Sequence, residues 1–359
     1  MLVKSDYDIV YETLISLKVK FDALRINEKQ LVIWGMGNTD SLYYNAFRYD
    51  KTPIKYYVNN SKKEIPEHNG FNVIRPSAIQ NIDNPLIIIN AQNKGVILSI
   101  ISDIKTLGQA IDYALVSEYF CYRYHDIFIS NLSLLDEISA HIYAHILLNL
   151  LGNSANTKDL YNPDHYFAIP EFCIPDKDEV YVDVGAYVGD SLELYCFRKF
   201  AQFHKYYCFE PDPENFAALN TRIKRLNSEW NLSPDKIQSV NGGIGEKAGK
   251  MPFCKSRSAE SNFSQDITNI TIPIYTLDEY FCKEHIDVIK ADVEGWEFPL
   301  LLGSKNVITR DHPLLAISIY HNLFDYINII NFLKNLHADY RFAVRHHSYI
   351  CNDTVLYAF

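Results

Sequence analysis

The sequence predicts an α/β protein with two parallel sheets in tandem, the second larger than the first. Three observations lead to this prediction. Short apolar runs alternate with amphipathic segments along the chain, as strands and helices do in parallel sheets. Two of these runs, Leu31–Trp34 and Val180–Val184, end in glycine-containing turns. The chain has 359 residues, which is long for one domain.

The first domain is predicted over residues 1–120. An amphipathic helix within residues 1–27 precedes strands expected at 31–34, 54–58, 71–74 and 86–90. Gly35 and Gly37 follow the first strand, but Ser41 or Leu42 occupies the place of the third glycine of a dinucleotide site. The second strand ends in Asn59 and not in an acid. We therefore predict a scaffold or interaction domain that binds no nicotinamide cofactor. It resembles the small Rossmann-like domain fused to sugar-modifying enzymes.

A helical connector is predicted over residues 121–172 and a second α/β domain over residues 173–359. The strands of the second domain are expected at 180–184, 205–209, 237–241, 288–291, 314–320, 341–345 and 354–359. No long helix separates the last two strands, so we expect them to form an antiparallel hairpin. The prediction is a parallel sheet with an antiparallel last strand, in which the final hairpin forms an antiparallel edge.

The first strand and turn of this domain are predicted to hold a ligand that contains ribose. Asp183 lies in the apolar strand, and Gly185 and Gly189 follow it with the spacing D-x-G-x-x-x-G. Gly185 allows a sharp turn, and Gly189 would let a ligand lie against the main chain where a Cβ would block it. The second strand ends in Glu210-Pro211-Asp212, and a carboxylate at this position can accept both ribose hydroxyls. No phosphate-binding motif accompanies this carboxylate, so the expected ligand is a nucleoside that has a ribose but no pyrophosphate. S-adenosylmethionine is such a molecule.

Further polar side chains follow the fourth and fifth strands. Lys290, Asp292 and Glu294 occupy alternate positions, which point to one side of a strand, and His321 follows the fifth strand. Ligands of such sheets lie beyond the carboxyl ends of the strands. We therefore expect these four groups to line the same site as Glu210.

The order of these motifs resembles the FkbM-type O-methyltransferase family over about residues 160–359. The resemblance is carried by Asp183–Ser191, Phe209–Phe216, Tyr275–Tyr280 and Ile289–Glu297, with Asp164-His-Tyr-Phe as the entry segment. It implies a class I methyltransferase sheet and S-adenosylmethionine-dependent methylation of a hydroxyl on a sugar or nucleotide-activated sugar of surface polysaccharide biosynthesis. The family's cofactor residues fall on Asp183, Gly185, Ala186, Gly189, Glu210, Pro211, Asp212 and Asp292.

Transfer of a methyl group to an alcohol requires that the alcohol lose its proton. Asp292, Lys290 and His321 are the candidate bases within the cluster, and the loop at 346–347 supplies histidines outside it. Asp292, Glu294 and His321 are also a suitable ligand set for a divalent ion such as Mg, Mn or Fe, which would lower the pKa of the hydroxyl. The sequence leaves both versions open.

Composition restricts the function classes. A net charge of −10 argues against a nucleic-acid partner or an anionic membrane surface. There is no apolar stretch of about 18 residues, and the first residues are too charged for a signal peptide. The seven cysteines are scattered, without a C-x-x-C, as in a reducing cytoplasm. A homo-oligomer, a non-sugar acceptor and an inactive methyltransferase-like binding module stay open.

Overall fold

The structure is a computed structural model. It describes residues 5–37, 43–44, 46–48, 51–61, 64–108, 110–152, 157–254, 262–263, 271–349 and 353–359. Ser41 and Leu42, which bear on the predicted glycine turn of the first domain, lie outside these ranges. The chain forms two compact units, one of residues 1–133, 143–156 and 322–327 and the other of residues 134–142, 157–321 and 328–359. The predicted boundaries at 120 and 172 stay predictions.

The first part of the chain alternates strands and helices as the apolar runs predict. The elements are α1 Asp6–Ala23, β1 Gln30–Trp34, β2 Ile54–Val58, β3 Glu67–His68, β4 Phe71–Ile74, β5 Pro85–Ile89, α2 Lys94–Thr106, β6 Asp112–Leu115, α3 Val116–Arg123, α4 His125–Leu134 and α5 Glu137–Leu150. A 3-10 helix, Pro76–Asn81, begins with a proline, which suits the first helical position. Ser5 caps α1, since its hydroxyl accepts a hydrogen bond from the Asp8 amide.

The sheet of the first unit has the strand order β3-β4-β2-β1-β5-β6. All its neighbouring strands run parallel except β3 and β4. The inner strand β5 is buried at every position, which explains its continuous apolar run. The apolar core of the first unit includes residues of β5 together with Trp34 of β1 and Ile100 of α2. The α/β class predicted for this region is confirmed.

The second part of the chain repeats this alternation. The elements are α6 Pro170–Cys173, β7 Val180–Val184, α7 Asp190–Arg198, β8 Lys205–Phe209, α8 Pro213–Glu229, β9 Ile237–Val240, β10 Gly243–Ile244, β11 Gly249–Cys254, β12 Asn262–Phe263, β13 Thr271–Tyr275, α9 Leu277–Tyr280, β14 Val288–Ala291, α10 Glu297–Leu302, α11 Lys305–Asp311, β15 Leu314–Ser318, α12 Leu323–Leu336, β16 Phe342–His346 and β17 Thr354–Ala358. The bounds predicted for β7, β8 and β14 are confirmed.

The large sheet of the second unit has the order β16-β17-β15-β14-β7-β8-β9. Strand β17 is antiparallel to both of its neighbours, so the predicted antiparallel last strand is confirmed. The predicted antiparallel hairpin of the last two strands is also confirmed, with β17 between β15 and β16 and with β16 at the edge of the sheet. The inner position of β17 in the sheet agrees with the burial of all five of its residues.

A small sheet of order β10-β13-β11-β12 was not predicted. Strand β10 has two residues and β13 carries a proline, so neither shows the apolar alternation of a strand. Strand β10 follows β9 directly and brings Gly243 and Ile244 next to the carboxyl end of β8. Within the described ranges, no helix combines the length and the apolar character that crossing a membrane requires.

Candidate active site

A cavity of about 190 Å³ lies at the carboxyl ends of β7, β8 and β14 in the second unit. Ligands of parallel α/β sheets bind at this end. The residues that line it are His165, Tyr166, Val184, Gly185, Tyr187, Asp190, Ser191, Phe209, Glu210, Pro211, Asn215, Gly242, Gly243, Ile244, Lys290, Asp292, Val293, Glu294 and Trp296. Six of the predicted site residues therefore surround one space: Gly185, Glu210, Pro211, Lys290, Asp292 and Glu294. The other predicted residues are not among those that line it, and His321, which was expected there, is one of these.

The turn after β7 depends on Gly185. Its φ is +78°, and a Cβ there would lie 1.8 Å from the carbonyl oxygen of Asp292. The amides of Gly185 and Ala186 both donate to the carbonyl of Phe209, at 3.0 Å. Gly185 lines the cavity, whereas Ala186 is fully buried and does not.

The structure requires a glycine at position 189 for a different reason than the predicted approach of a ligand. A Cβ at Gly189 would lie 2.8 Å from Leu219 and 3.3 Å from Arg222, both on α8, and Gly189 is not among the cavity residues. Gly189 is the N-terminal cap residue of α7, and its φ is +84°. The glycine therefore permits a left-handed turn and close packing of α8 in place of ligand approach.

Glu210 presents a buried carboxylate to the cavity. One of its oxygens accepts a hydrogen bond from the Tyr187 amide and the other from the Asp212 amide, both at 2.8 Å. Burial raises the pKa of Glu210 to about 7, against the opposing effect of these hydrogen bonds. Asp212, which was predicted to contact the cofactor, is not among the cavity residues. Its side chain caps α8 by accepting hydrogen bonds from the amides of Glu214 and Asn215.

Asp183 and Lys290 form a buried ion pair across β7 and β14. The ammonium lies 2.9 Å from the Asp183 carboxylate and donates to the carbonyl of Gly185 at 2.7 Å. Asp183 also accepts hydrogen bonds from Ser191 and Tyr206. Burial alone would lower the pKa of Lys290, but Asp183 and Asp292 outweigh it and hold the pKa above its usual value. The pair fixes the glycine turn, and Lys290 keeps its proton.

Asp292 and Glu294 reach the cavity from a turn, not from a strand as predicted. Strand β14 ends at Ala291, and Glu294 and Gly295 have φ values of +54° and +90°. Asp292 accepts hydrogen bonds from Tyr166 at 2.7 Å and Tyr320 at 3.4 Å. Burial opposes its ionisation, but Lys290 and a neighbouring histidine hold its pKa below the usual range.

That histidine is His321, which sits among three carboxylates. Its Nδ1 lies 2.7 Å from the buried Glu297, and its Nε2 lies 3.5 Å from both Asp292 and Glu294. Burial lowers the pKa of His321, but Glu297 and the other two acids outweigh it and raise the pKa to about 9. His321 is thus a cation at neutral pH. Glu297 was not singled out from the sequence, although the predicted motif ends on it.

Oxygen and nitrogen donors suitable for a divalent ion lie close together here. The donor atoms of Asp292, Glu297 and His321 all lie within 4.8 Å of one another. This group has Glu297 where the set predicted from the sequence has Glu294. Nε2 of His321 is shielded from solvent and makes no hydrogen bond of good geometry, although two carboxylates flank it. Because Glu297 holds Nδ1, the ring is oriented as it is in metal sites whose histidine donates its second nitrogen to a carboxylate. The residues fit a metal, but they also fit a proton on His321.

Two further groups at the cavity come from the segment before α6. Tyr166, with a φ of +62°, donates its hydroxyl to Asp292 and lies under the Lys290 ammonium, 5.2 Å from its ring centre. His165 stacks on Tyr166, and its Nε2 is shielded from solvent without a hydrogen-bond partner. Both residues belong to the entry segment of the family resemblance, which assigns them no role. The signal was an aromatic pair next to the predicted domain boundary.

Comparison with protein families gives a match to the methyltransferase FkbM domain over residues 183–342. A curated relative is the hexuronic acid methyltransferase AglP of Haloferax volcanii, which is 27% identical over 138 residues. The match covers 37% of this chain and 53% of the relative, so the chain spans about half the length of the curated relative that it matches.

Among solved structures, the chain is similar to the crystal structure of methyltransferase FkbM from Methylobacillus flagellatus KT. The TM-score is 0.60 at 18% sequence identity, and the similarity covers 98% of this chain and 99% of that one. At this identity the likeness shows the fold, so the class I Rossmann-like architecture expected from the resemblance is confirmed.

Proposed function

Residues 183–342 carry a methyltransferase FkbM domain, and from this premise we propose that the chain is an S-adenosylmethionine-dependent O-methyltransferase. Its acceptor is a hydroxyl of a sugar or nucleotide-activated sugar used in surface polysaccharide synthesis. The sugar is proposed because the curated relative is named a hexuronic acid methyltransferase. A non-sugar acceptor is the alternative. Cytoplasmic location, a homo-oligomeric state and the absence of a nucleic-acid partner stay predictions.

One observation carries the cofactor proposal. The buried carboxylate of Glu210 borders the same cavity as the Gly185 turn, at the carboxyl ends of neighbouring strands. The amides of Tyr187 and Asp212 each donate to one oxygen of this carboxylate, and the side chain of Asn215 also stabilises it. Since Glu210 lines the cavity, its carboxylate can accept the hydroxyls of a ribose there. Pro211 and Ile244 supply apolar contact beside them.

The acceptor would enter next to Asp292 and Glu294. When bound, S-adenosylmethionine supplies a methyl group on a positively charged sulfur, which is already a strong electrophile. The chain therefore has to bind the acceptor, align its oxygen and receive its proton. Of the three bases proposed from the sequence, Lys290 and His321 already hold protons. Asp292 is ionised, so among these three groups it is the one that can attract the proton of the acceptor hydroxyl.

Calorimetric titration with S-adenosylmethionine tests the cofactor site. Glu210→Ala removes charge-assisted hydrogen bonds worth about 1.5–3 kcal/mol each, so affinity should fall at least about tenfold. Glu214→Ala is the matched control, because Glu214 is an exposed acid one turn along the same segment. Equal affinity of wild type and Glu210→Ala would contradict the assigned ribose contact. No binding to the wild type would contradict the cofactor, and binding without turnover on any acceptor would favour the inactive module.

A divalent ion at Asp292, Glu294 and His321 is the second version of this site. Its support is the orientation of His321 by Glu297 and the shielded Nε2 between two carboxylates. An ion there would lower the pKa of the acceptor hydroxyl. Chelator should then abolish methyl transfer, and adding back Mg, Mn or Fe should restore it. Full activity in chelator would exclude this version and leave the proton-holding form of His321.

A further inference from the structure

His165 is a polar group of the cavity wall that the proposed cofactor contacts leave unused. Its Nε2 has no hydrogen-bond partner and is shielded from solvent, although the ring lines the cavity. A shielded nitrogen without a partner is costly, because it has lost water and gained nothing in return. Such a group at a cavity wall is expected to be satisfied when the cavity is filled.

The surroundings of His165 hold its ring in place. The ring stacks on Tyr166 with centres 3.9 Å apart and lies 4.8 Å from the ring of His347. Tyr166 is in turn fixed by its hydrogen bond to Asp292. His347 is fixed as well, because its two nitrogens contact the carbonyl of Asn162 and the hydroxyl of Tyr357. His165 is thus a positioned group at the cavity wall.

We propose that Nε2 of His165 accepts the proton of the acceptor hydroxyl during methyl transfer. This inference rests on the proposed function. In the step, the acceptor oxygen forms a bond to the methyl carbon, and the carbon–sulfur bond breaks with its electron pair going to sulfur. The hydroxyl proton goes to Nε2. One positive charge leaves the sulfur and one appears on the imidazole, so the total charge of the cavity does not change.

The charged groups near His165 agree with this role. Burial lowers the pKa of His165 to about 4, Asp292 opposes that effect, and Lys290 adds to it. His165 is therefore neutral at pH 7 and free to take a proton, unlike His321. Asp292 would stabilise the imidazolium once it forms. The histidines at 346 and 347, the alternative base positions considered from the sequence, already contact Thr354, Asn162 and Tyr357.

The test begins by finding an acceptor with a panel of methyl glucoside, methyl glucuronide, UDP-glucose and UDP-glucuronate. With the best acceptor, His165→Gln should lower kcat about a hundredfold or more while leaving affinity for S-adenosylmethionine within about twofold. Added imidazole should restore part of the activity of His165→Ala, which a purely structural role would not allow. His204→Gln, at an exposed histidine of the same unit, is the matched control and should behave as wild type.

The pH profile separates His165 from His321. At saturating cofactor, a base with a pKa of about 4 predicts a kcat that is flat between pH 6 and 8. A base with a pKa of about 9 predicts a kcat that rises about tenfold per pH unit over that range. The rising profile, or full kcat in His165→Gln, would overturn the proposal while leaving the proposed function intact if cofactor still binds.

A measurement on the wild-type chain covers the case in which the variants do not fold or no acceptor is found. Nitrogen-15 NMR of the labelled chain reports the protonation of each imidazole nitrogen and does not require solvent access. Between pH 6 and 8, Nε2 of His165 should give the signal of a nitrogen that carries no proton. A proton on Nε2 of His165 throughout this range would overturn the proposal. Failure of S-adenosylmethionine to bind at all would overturn the proposed function and this inference together.

Discussion

The two parallel sheets of this chain share a framework and differ in the side chains at the ends of their strands. In both, the strand order around the first strand is the same, β4-β2-β1-β5-β6 in one and β9-β8-β7-β14-β15 in the other. Each first strand ends at a glycine with positive φ, Gly35 or Gly185, where a Cβ would clash with the carbonyl of Asn90 or Asp292. The backbone device is therefore common to both sheets.

The paired positions in the two sheets carry different chemistry. Ile33 pairs with Ile88 in the first sheet, where Asp183 pairs with Lys290 in the second. Following the second strand, the first sheet has Asn59 where the second has Glu210. The first sheet thus keeps an apolar pair and an amide where the second has an ion pair and a carboxylate. The turn therefore belongs to the fold, and under the proposed function it is the charged side chains beside the turn that bind the cofactor.

Gly185→Ala should have the largest effect. The strained φ and a backbone contact at 1.8 Å cannot both be relieved, so we expect a loss of more than about 4 kcal/mol in the free energy of unfolding and no cofactor binding. Denaturant unfolding and calorimetry measure the two effects. Gly35→Ala, with a contact at 2.3 Å, should also destabilise but should spare cofactor affinity in the folded protein. A Gly185→Ala variant as stable as wild type would contradict the requirement for glycine at this turn.

Transplanting the apolar pair of the first sheet into the second tests the ion pair. Asp183→Ile alone should cost about 3 kcal/mol of unfolding free energy, because it leaves Lys290 buried without its counter-charge. Asp183→Ile with Lys290→Ile should recover most of that loss, since a packed apolar pair can replace a buried ion pair. Cofactor affinity should stay low in the double variant, because nothing then holds the Gly185 carbonyl. Additive losses in denaturant unfolding would contradict this account.

The pH dependence of cofactor binding sharpens the contrast between Glu210 and Asn59. Since the pKa of Glu210 is raised to about 7, a proton occupies it below that pH and only the ionised form accepts both hydroxyls. Affinity measured by calorimetry should therefore rise about tenfold from pH 5.5 to 8.5. The same shift makes the folded state hold this proton more tightly, so the stability contributed by Glu210 falls as pH rises from 4.5 through 7. A Glu210→Gln variant with the same affinity profile would assign the pH effect to another group.

The smallest effects are expected in the first sheet. Asn59→Ala should leave affinity for S-adenosylmethionine within about twofold of wild type, because Asn59 contributes its side chain to a local turn by accepting from the Ser61 amide. NAD⁺ at millimolar concentration should not change the melting temperature, since an amide does not replace the ribose-binding acid. Saturable stabilisation by NAD⁺ would show that the first sheet also binds a nucleotide.

The sequence by itself determined the elements whose signals are local. The apolar runs and glycine turns located β7, β8 and β14, because strand burial and positive φ depend on neighbouring residues. The motif order also predicted that Glu210 and Asp292 lie near one another, and both line the cavity, since strand ends in a parallel sheet meet at one edge. Two interpretations that used only spacing were wrong. Gly189 allows close packing of α8 in place of ligand approach, and Asp292 and Glu294 lie on a turn after β14 and not on the strand itself.

Tertiary structure decided which charges meet. Asp183 reaches Lys290 across 107 positions of sequence, and that contact turns a candidate base into a fixed cation. Glu297 gives His321 its positive charge, and Tyr166 brings His165 to the cavity from before the first strand of the sheet. The protonation state of a buried group depends on the charges and solvent around it, and these come from distant segments. Spacing along the chain therefore located the strand ends, and only the folded chain decided which groups there carry a proton.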